Sequence, residues 1–185
     1  MPPSLVPGSS IVTAMSVASS AVKTGLFTLF VPFVVAVWIP QRMIAGEPTA
    51  ADVRLVWQAL GGLPFALGVV GYFWCAMLFV RAQGTPAPIF PTKQSVVGGP
   101  YCINRNPMYT SVLAVVLGQA LFYRNPRVAW YALFLFGCFH LFVVFYEERD
   151  LRRRFDGGYE EFCRRVPRWV PRLRTPCSPL IGDPR

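Results

Sequence analysis

Histidine occurs once in this 185-residue chain, and its five cysteines include no Cys-x-x-Cys pair. A zinc site of His and Cys ligands needs such a cluster, so no metal chemistry is expected. The cysteines are scattered at 75, 102, 138, 163 and 177, two of them inside hydrophobic blocks. That usage predicts reduced, structural thiols rather than a disulfide framework. No GxGxxG follows a strand-like run, which excludes a Rossmann cofactor domain. Gly68 and Gly71 read instead as points of close helix contact. The first twenty residues carry no basic n-region, so a cleaved signal peptide is not expected. Charge is scarce throughout: 15% of residues are charged while 54% are apolar, and the mean hydropathy is +0.42. A soluble domain of this size would need more polar surface.

The apolar residues gather into long blocks that exclude charge, the pattern of a membrane protein. The expected fold is therefore all-α: one integral membrane domain over residues 1–185, a bundle of four spans, or five. The spans fall at about 24–39, 55–80, 107–123 and 128–146, and residues 11–22 extend the first helix or add to the count. With four spans the N-terminus, the loop 81–106 and the tail share one side. That side holds Lys23, Arg81, Lys93, Arg105 and ten arginines from Arg149 to Arg185, fourteen basic residues against four on the other. The asymmetry places both termini in the cytosol.

The net charge of +9 does not point to nucleic acid. Ten of the eighteen basic residues directly follow a hydrophobic block, where such a segment meets anionic lipid headgroups. No nucleic-acid-binding signature accompanies them. Leu151, Phe155, Tyr159, Phe162 and Val166 recur every three or four residues among those arginines. The spacing predicts an amphipathic helix lying on the membrane, bent at Asp156-Gly157-Gly158. Pro167 and Pro171 end it.

The last two spans form a hairpin, since only residues 124–127 separate them. Residues equidistant from the turn lie at similar depth, which brings Arg105 and Asn106 to the level of Tyr146 and Glu147. Asn106-Pro107 at a helix start has a plain structural reading as N-cap and first helical residue. It has a functional one too. A helix N-terminus favours an anion, Arg105 strengthens that preference, and Tyr109 sits on the first turn. Across the hairpin, Glu147 and Glu148 are either a solvated face with i,i+4 arginine pairs or a carboxylate turned inward. A cation-holding carboxylate opposite an anion-holding helix start suits a zwitterion such as the methionyl part of S-adenosylmethionine. His140, one helical face along from Glu147, is either a packed histidine bonded across helices or part of an acceptor pocket. Arg149 is a second residue able to orient an acceptor carboxylate.

Several stretches occur in a fixed order: GTPAP at 84–88, Gly99-Pro100-Tyr101, Arg105-Asn106-Pro107-Met108-Tyr109, then Glu147-Glu148. Leu151, Phe155, Tyr159, Phe162, Val166-Pro167-Arg168 and Pro171 follow. From about residue 84 to 172 the chain resembles the isoprenylcysteine carboxyl methyltransferase family in its short bacterial branch. It is also similar to the phospholipid N-methyltransferases, which share the paired glutamates. The resemblance implies an S-adenosylmethionine-dependent enzyme of a bacterial membrane, with the cofactor between the cytosolic ends of the last two spans and the tail (segments 98–109 and 147–171). It implies cofactor contacts at Tyr101, Arg105, Asn106, Pro107, Tyr109, Glu147 and Glu148, with Arg105 and the two glutamates carrying the reaction. It leaves His140 and Arg149 for the acceptor, which is a lipophilic or small molecule bearing a carboxylate, amine or thiol. Eukaryotic members carry His where this chain has Asn106, and Gly where it has Ser111. Asparagine donates a hydrogen bond but cannot titrate, so position 106 keeps a binding role only. Two rivals remain at this point: an NADPH-dependent enzyme like the sterol reductases, whose C-terminal core is similar, and a non-enzymatic lipid-binding scaffold.

Overall fold

The computed structural model describes residues 32–45, 55–81 and 99–172, without the side chains of 154–158. The GTPAP stretch, residues 1–31 and the tail beyond 172 lie outside the described residues. What is described is all-helical, with no strand. Helix α1 covers Val34–Ile44, opening with the π-helical turn Val34–Trp38. Helix α2 covers Leu55–Arg81. A 3₁₀ turn at Gly99–Cys102 leads into α3, Pro107–Phe122. Helix α4, Pro126–Phe142, continues through the π-helical turn Val143–Glu147 into α5, Glu148–Arg165.

Each expected apolar segment overlaps one of these helices; the first, expected at 24–39, is described only from residue 32, and its helix runs on to Ile44. Two stretches, Leu55–Arg81 and Pro126–Arg153, are long and apolar enough to cross a bilayer. Most of their surface faces outward, with Leu60, Leu63, Leu67, Phe73, Leu133 and Phe134 exposed. An outward apolar surface of that extent suits lipid and not water. Helix α3 has 16 residues, about 24 Å at the α-helical rise, so it is shorter than its neighbours.

Small residues set how closely the bundle packs. Helices α2 and α3 make the most extensive contact in the structure. A Cβ on Gly68 would stand 2.6 Å from the Ser111 carbonyl oxygen, and one on Gly71 2.6 Å from Ser111 Oγ. At Gly68 the obstacle is backbone, so only glycine permits the approach, while at Gly71 it is the Ser111 hydroxyl; both are points of close helix contact, as the sequence predicts. The hairpin is as tight as expected. Asn125 caps α4 by accepting from the Arg127 and Val128 N–H groups (2.9 and 3.4 Å), Pro126 takes the first position, and Arg124 adopts a positive φ of 51°. The core between α1, α3 and α4 is built from Ala36, Val112, Val116, Val128, Ala132 and Leu135.

Three expectations change. Helix α5 stays helical through Asp156-Gly157-Gly158, with no break at the glycines. Its apolar face is not left for lipid: Tyr159, Phe162 and Val166 form a buried cluster with Leu151 and Cys163 against it. The helix is therefore docked on the protein, with its arginine face outward. Finally, Cys75, Cys138 and Cys163 are free thiols, but Cys102 is disulfide-bonded. That cysteine sits in a loop turn outside the apolar blocks, where a thiol can meet a partner.

Candidate functional site

The lower end of the α3–α4 hairpin, its connection to α5 and the returning tail meet at one corner. Two backbone bonds tie the tail to the approach to α3: Arg105 N–H donates to the Pro167 carbonyl (2.9 Å), and Arg172 N–H donates to that of Ile103 (3.0 Å). Tail residues after the helix thus run beside residues 103–106. The indole of Trp169 donates to His140 Nδ1 (3.1 Å) and packs edge-on against Phe136. This fastens the tail to α4.

Glu148 lies at the centre and is 3% exposed. It accepts a two-pronged pair from Arg168, Nε at 2.7 Å and NH2 at 3.0 Å. Arg105 lies 3.2 Å away and Arg152 3.6 Å. The carboxylate holds the Arg168 guanidinium more firmly protonated than usual, chiefly through that hydrogen bond. Three guanidinium groups around one carboxylate leave an excess of positive charge, which favours an anion.

Glu147 faces differently. It accepts one bond, from the Tyr109 hydroxyl at 3.0 Å, so a carboxylate there keeps acceptor capacity to spare. Among the described residues the two glutamates share no arginine; a π-helical turn directly before Glu148 helps set their directions, and such turns recur at functional sites. Tyr109 also packs on Phe139, and Tyr101 on Phe79. Burial pushes the Tyr101 phenol well above its ordinary range, so it stays neutral.

Asn106 stands at the N-cap of α3 without capping it. Its side-chain amide donates to the Arg168 carbonyl (3.1 Å) instead, tethering the tail. The plain capping reading is corrected: the side chain is turned to donate Nδ2 to the tail, and no helix N–H donates to its oxygen. Pro107 then supplies the first helical residue. The start of α3 consequently keeps its anion-binding character.

The structure thus gathers Arg105, Asn106, Pro107, Tyr109, Glu147 and Glu148 at one level, with Tyr101 just before them. His140 is one further turn pair away and engaged with Trp169. Arg149 stands apart, exposed with its guanidinium 5.6 Å from the Phe145 ring centre. Three participants were missed by reasoning from sequence. Arg168 is one, although it stands in the Val-Pro-Arg stretch. Cys163, whose sulfur accepts from Arg105 NH1 at 2.7 Å, is another. Asn104, 4% exposed, is the third; nothing in a lone loop asparagine signals burial.

The residues fit a zwitterionic ligand. An arginine whose Nε is buried without a partner, an uncapped helix start and surplus positive charge suit its anion. The half-buried Glu147 carboxylate, with acceptor capacity beyond its Tyr109 bond, suits a cation.

A family model described as phospholipid methyltransferase matches residues 56–157. The cobalt-zinc-cadmium resistance protein CzcN of Cupriavidus metallidurans is 30% identical over 114 residues, which cover 62% of this chain and 49% of that protein. The chain spans about half the length of the curated relative it matches. No solved structure matches it.

Proposed function

The chain belongs to the phospholipid methyltransferase family, and from that premise we propose that it is a membrane enzyme transferring a methyl group from S-adenosylmethionine to a lipophilic or small acceptor. The acceptor presents a carboxylate, as isoprenylcysteine does, or an amine or thiol. The observation that carries the reading is the corner itself: Arg105 beside an uncapped helix start, with Glu147 and its single partner across the hairpin at the same depth.

When bound, S-adenosylmethionine supplies a methyl on a sulfonium, whose sulfur keeps the electron pair of the broken bond as S-adenosylhomocysteine leaves. The protein's part is largely placement and exclusion of water. Arg105 and the first turn of α3 hold the carboxylate of the cofactor. Glu147 offers its free lone pairs to the sulfonium, the cation at the reacting end of the cofactor. Glu148 does not bind directly; it positions Arg105 and Arg168 from behind. A carboxylate acceptor arrives deprotonated and needs no base. An amine must lose a proton, and Glu147 is the group left to take it, since Glu148 is engaged by arginines and His140 Nδ1 by Trp169. Both termini face the cytosol, where the cofactor is made, and the exposed arginines of α5 meet anionic headgroups.

Purified protein in detergent tests this. S-adenosylhomocysteine at a hundredfold its dissociation constant should add about 2.7 kcal/mol to stability, and labelled methyl should move to a lipid-extract component. Folded protein that shows no thermal shift with either cofactor form sinks the assignment.

A further inference from the structure

Among the described residues, two buried side-chain polar atoms have no hydrogen-bond partner, and they belong to consecutive residues: Asn104 Oδ1 and Arg105 Nε. Buried polar atoms left alone cost on the order of 1–3 kcal/mol each, and a native structure that carries one calls for a reason. The orientation of the Asn104 amide is fixed by its neighbour. The Thr110 hydroxyl donates to the Asn106 carbonyl (2.9 Å), so towards Asn104 it can only accept. Asn104 Nδ2 therefore faces Thr110 (3.2 Å), and Oδ1 is the free end. The corner thus offers a neutral acceptor and a cationic donor from adjacent residues, beside the uncapped start of a 16-residue helix.

We infer that Asn104 and Arg105 together read the α-amino-acid head of the cofactor, Oδ1 accepting from its ammonium while the guanidinium takes its carboxylate. This rests on the proposed cofactor and adds a recognition residue to it. The two charged groups of an α-amino acid hang from one carbon, and the two unpaired protein groups belong to consecutive residues. An adenine edge also pairs one donor with one acceptor, but its acceptor nitrogen is uncharged. It would leave the arginine charge and the helix start without an anion. The head of the cofactor uses both.

The experiment compares two ligands on two proteins by calorimetry: S-adenosylhomocysteine and its analogue lacking the α-amino group, on the parent and on Asn104→Leu. The parent should bind the analogue on the order of ten- to a hundredfold more weakly, the size of a hydrogen bond to a charged group. Asn104→Leu should bind both ligands alike, at the weaker level. Its melting temperature without ligand should stay level or rise, because an orphaned acceptor has been removed. A merely structural amide predicts the opposite, a lower melting temperature with affinity kept. If Asn104→Leu does not fold, Asn104→Ala reads the same discrimination. A variant that still prefers the ammonium-bearing ligand as strongly as the parent overturns the inference, including the case where Asn104 reads adenine and both ligands weaken together. Binding of neither ligand by the folded parent overturns this inference and the cofactor assignment with it.

Discussion

Two polar clusters are buried in this apolar bundle, and they are built on opposite terms. Near the hairpin turn, Gln119 donates to the Ala36 carbonyl (2.6 Å) and accepts from Gln41 Nε2 (3.0 Å), while Tyr131 donates to the Val35 carbonyl (3.0 Å). These side chains are neutral, and among the described residues none of their buried polar atoms is left unpaired. At the other end the corner is charged, crowded with arginine, and leaves Asn104 Oδ1 and Arg105 Nε without partners. Neutral, satisfied networks hold helices together in a membrane at modest cost. A charged and unsatisfied cluster at the end of a span stores binding capacity. The difference separates a fastening from a site, and it can be tested by breaking each in turn.

The largest effect is expected from Glu148→Gln. The substitution keeps the volume but removes the one negative charge facing Arg105, Arg152 and Arg168. Loss of one partner from a buried ion pair costs about 3–5 kcal/mol. Arg168 and Arg152 are partly exposed, so the lower end applies. Thermal denaturation in detergent should show that loss. Glu147→Gln should instead leave stability nearly unchanged and weaken cofactor binding about ten- to a hundredfold. Equal effects of the two substitutions would erase the division of labour between the glutamates.

Next comes the neutral cluster. Gln119→Leu leaves the Gln41 amide and one carbonyl without their bonds, a cost of about 1–2 kcal/mol. Affinity for S-adenosylhomocysteine should not move. A matching fall in affinity would show that the two ends of the bundle are energetically coupled.

Asn106→Ala is smaller again, about 1 kcal/mol for one uncharged hydrogen bond. Because its partner is the Arg168 carbonyl, the expected signature is faster amide exchange in residues 167–172, with α3 itself unchanged. A frayed α3 would restore the capping role. This residue also marks the limit of what can be read from sequence. The hairpin depth was legible, because a turn as short as residues 124–127 fixes which levels face one another; it put Arg105 and Asn106 level with Tyr146 and Glu147, beside the contacts that the structure shows. The Asn-Pro helix start was legible as well. The return of the tail was not. Arg168 lies twenty residues from Glu148, on an irregular segment whose path is set by backbone bonds to Ile103 and Arg105 and by Trp169 on His140. No local period encodes such a path, so the choice between Glu147 and Glu148 stayed open until the tail was in place.

The smallest effect belongs to a third carboxylate, which calibrates the other two. Glu161 also pairs with two arginines, Arg164 at 2.6 Å and Arg165 at 2.7 Å, but it lies on the outer face of α5 in contact with water. Those arginines lower its pKa below the ordinary value of 4.5, mainly through hydrogen bonds. A depressed carboxylate stabilises the fold above its unfolded pKa, and the contribution is lost as pH falls through the lowered folded value. Against Glu161→Gln, the parent should therefore hold a small, constant advantage from neutral pH down to about 4.5. The advantage should vanish below that, and at any pH it should shrink in high salt, since exposed pairs are screened. Glu148→Gln should keep most of its deficit in the same salt, because water and ions do not reach a side chain 3% exposed. Thermal melts of the three proteins at two salt concentrations decide it. If salt removes the Glu148 deficit as readily as the Glu161 one, the corner is an ordinary surface cluster and the contrast between the two ends of the bundle fails.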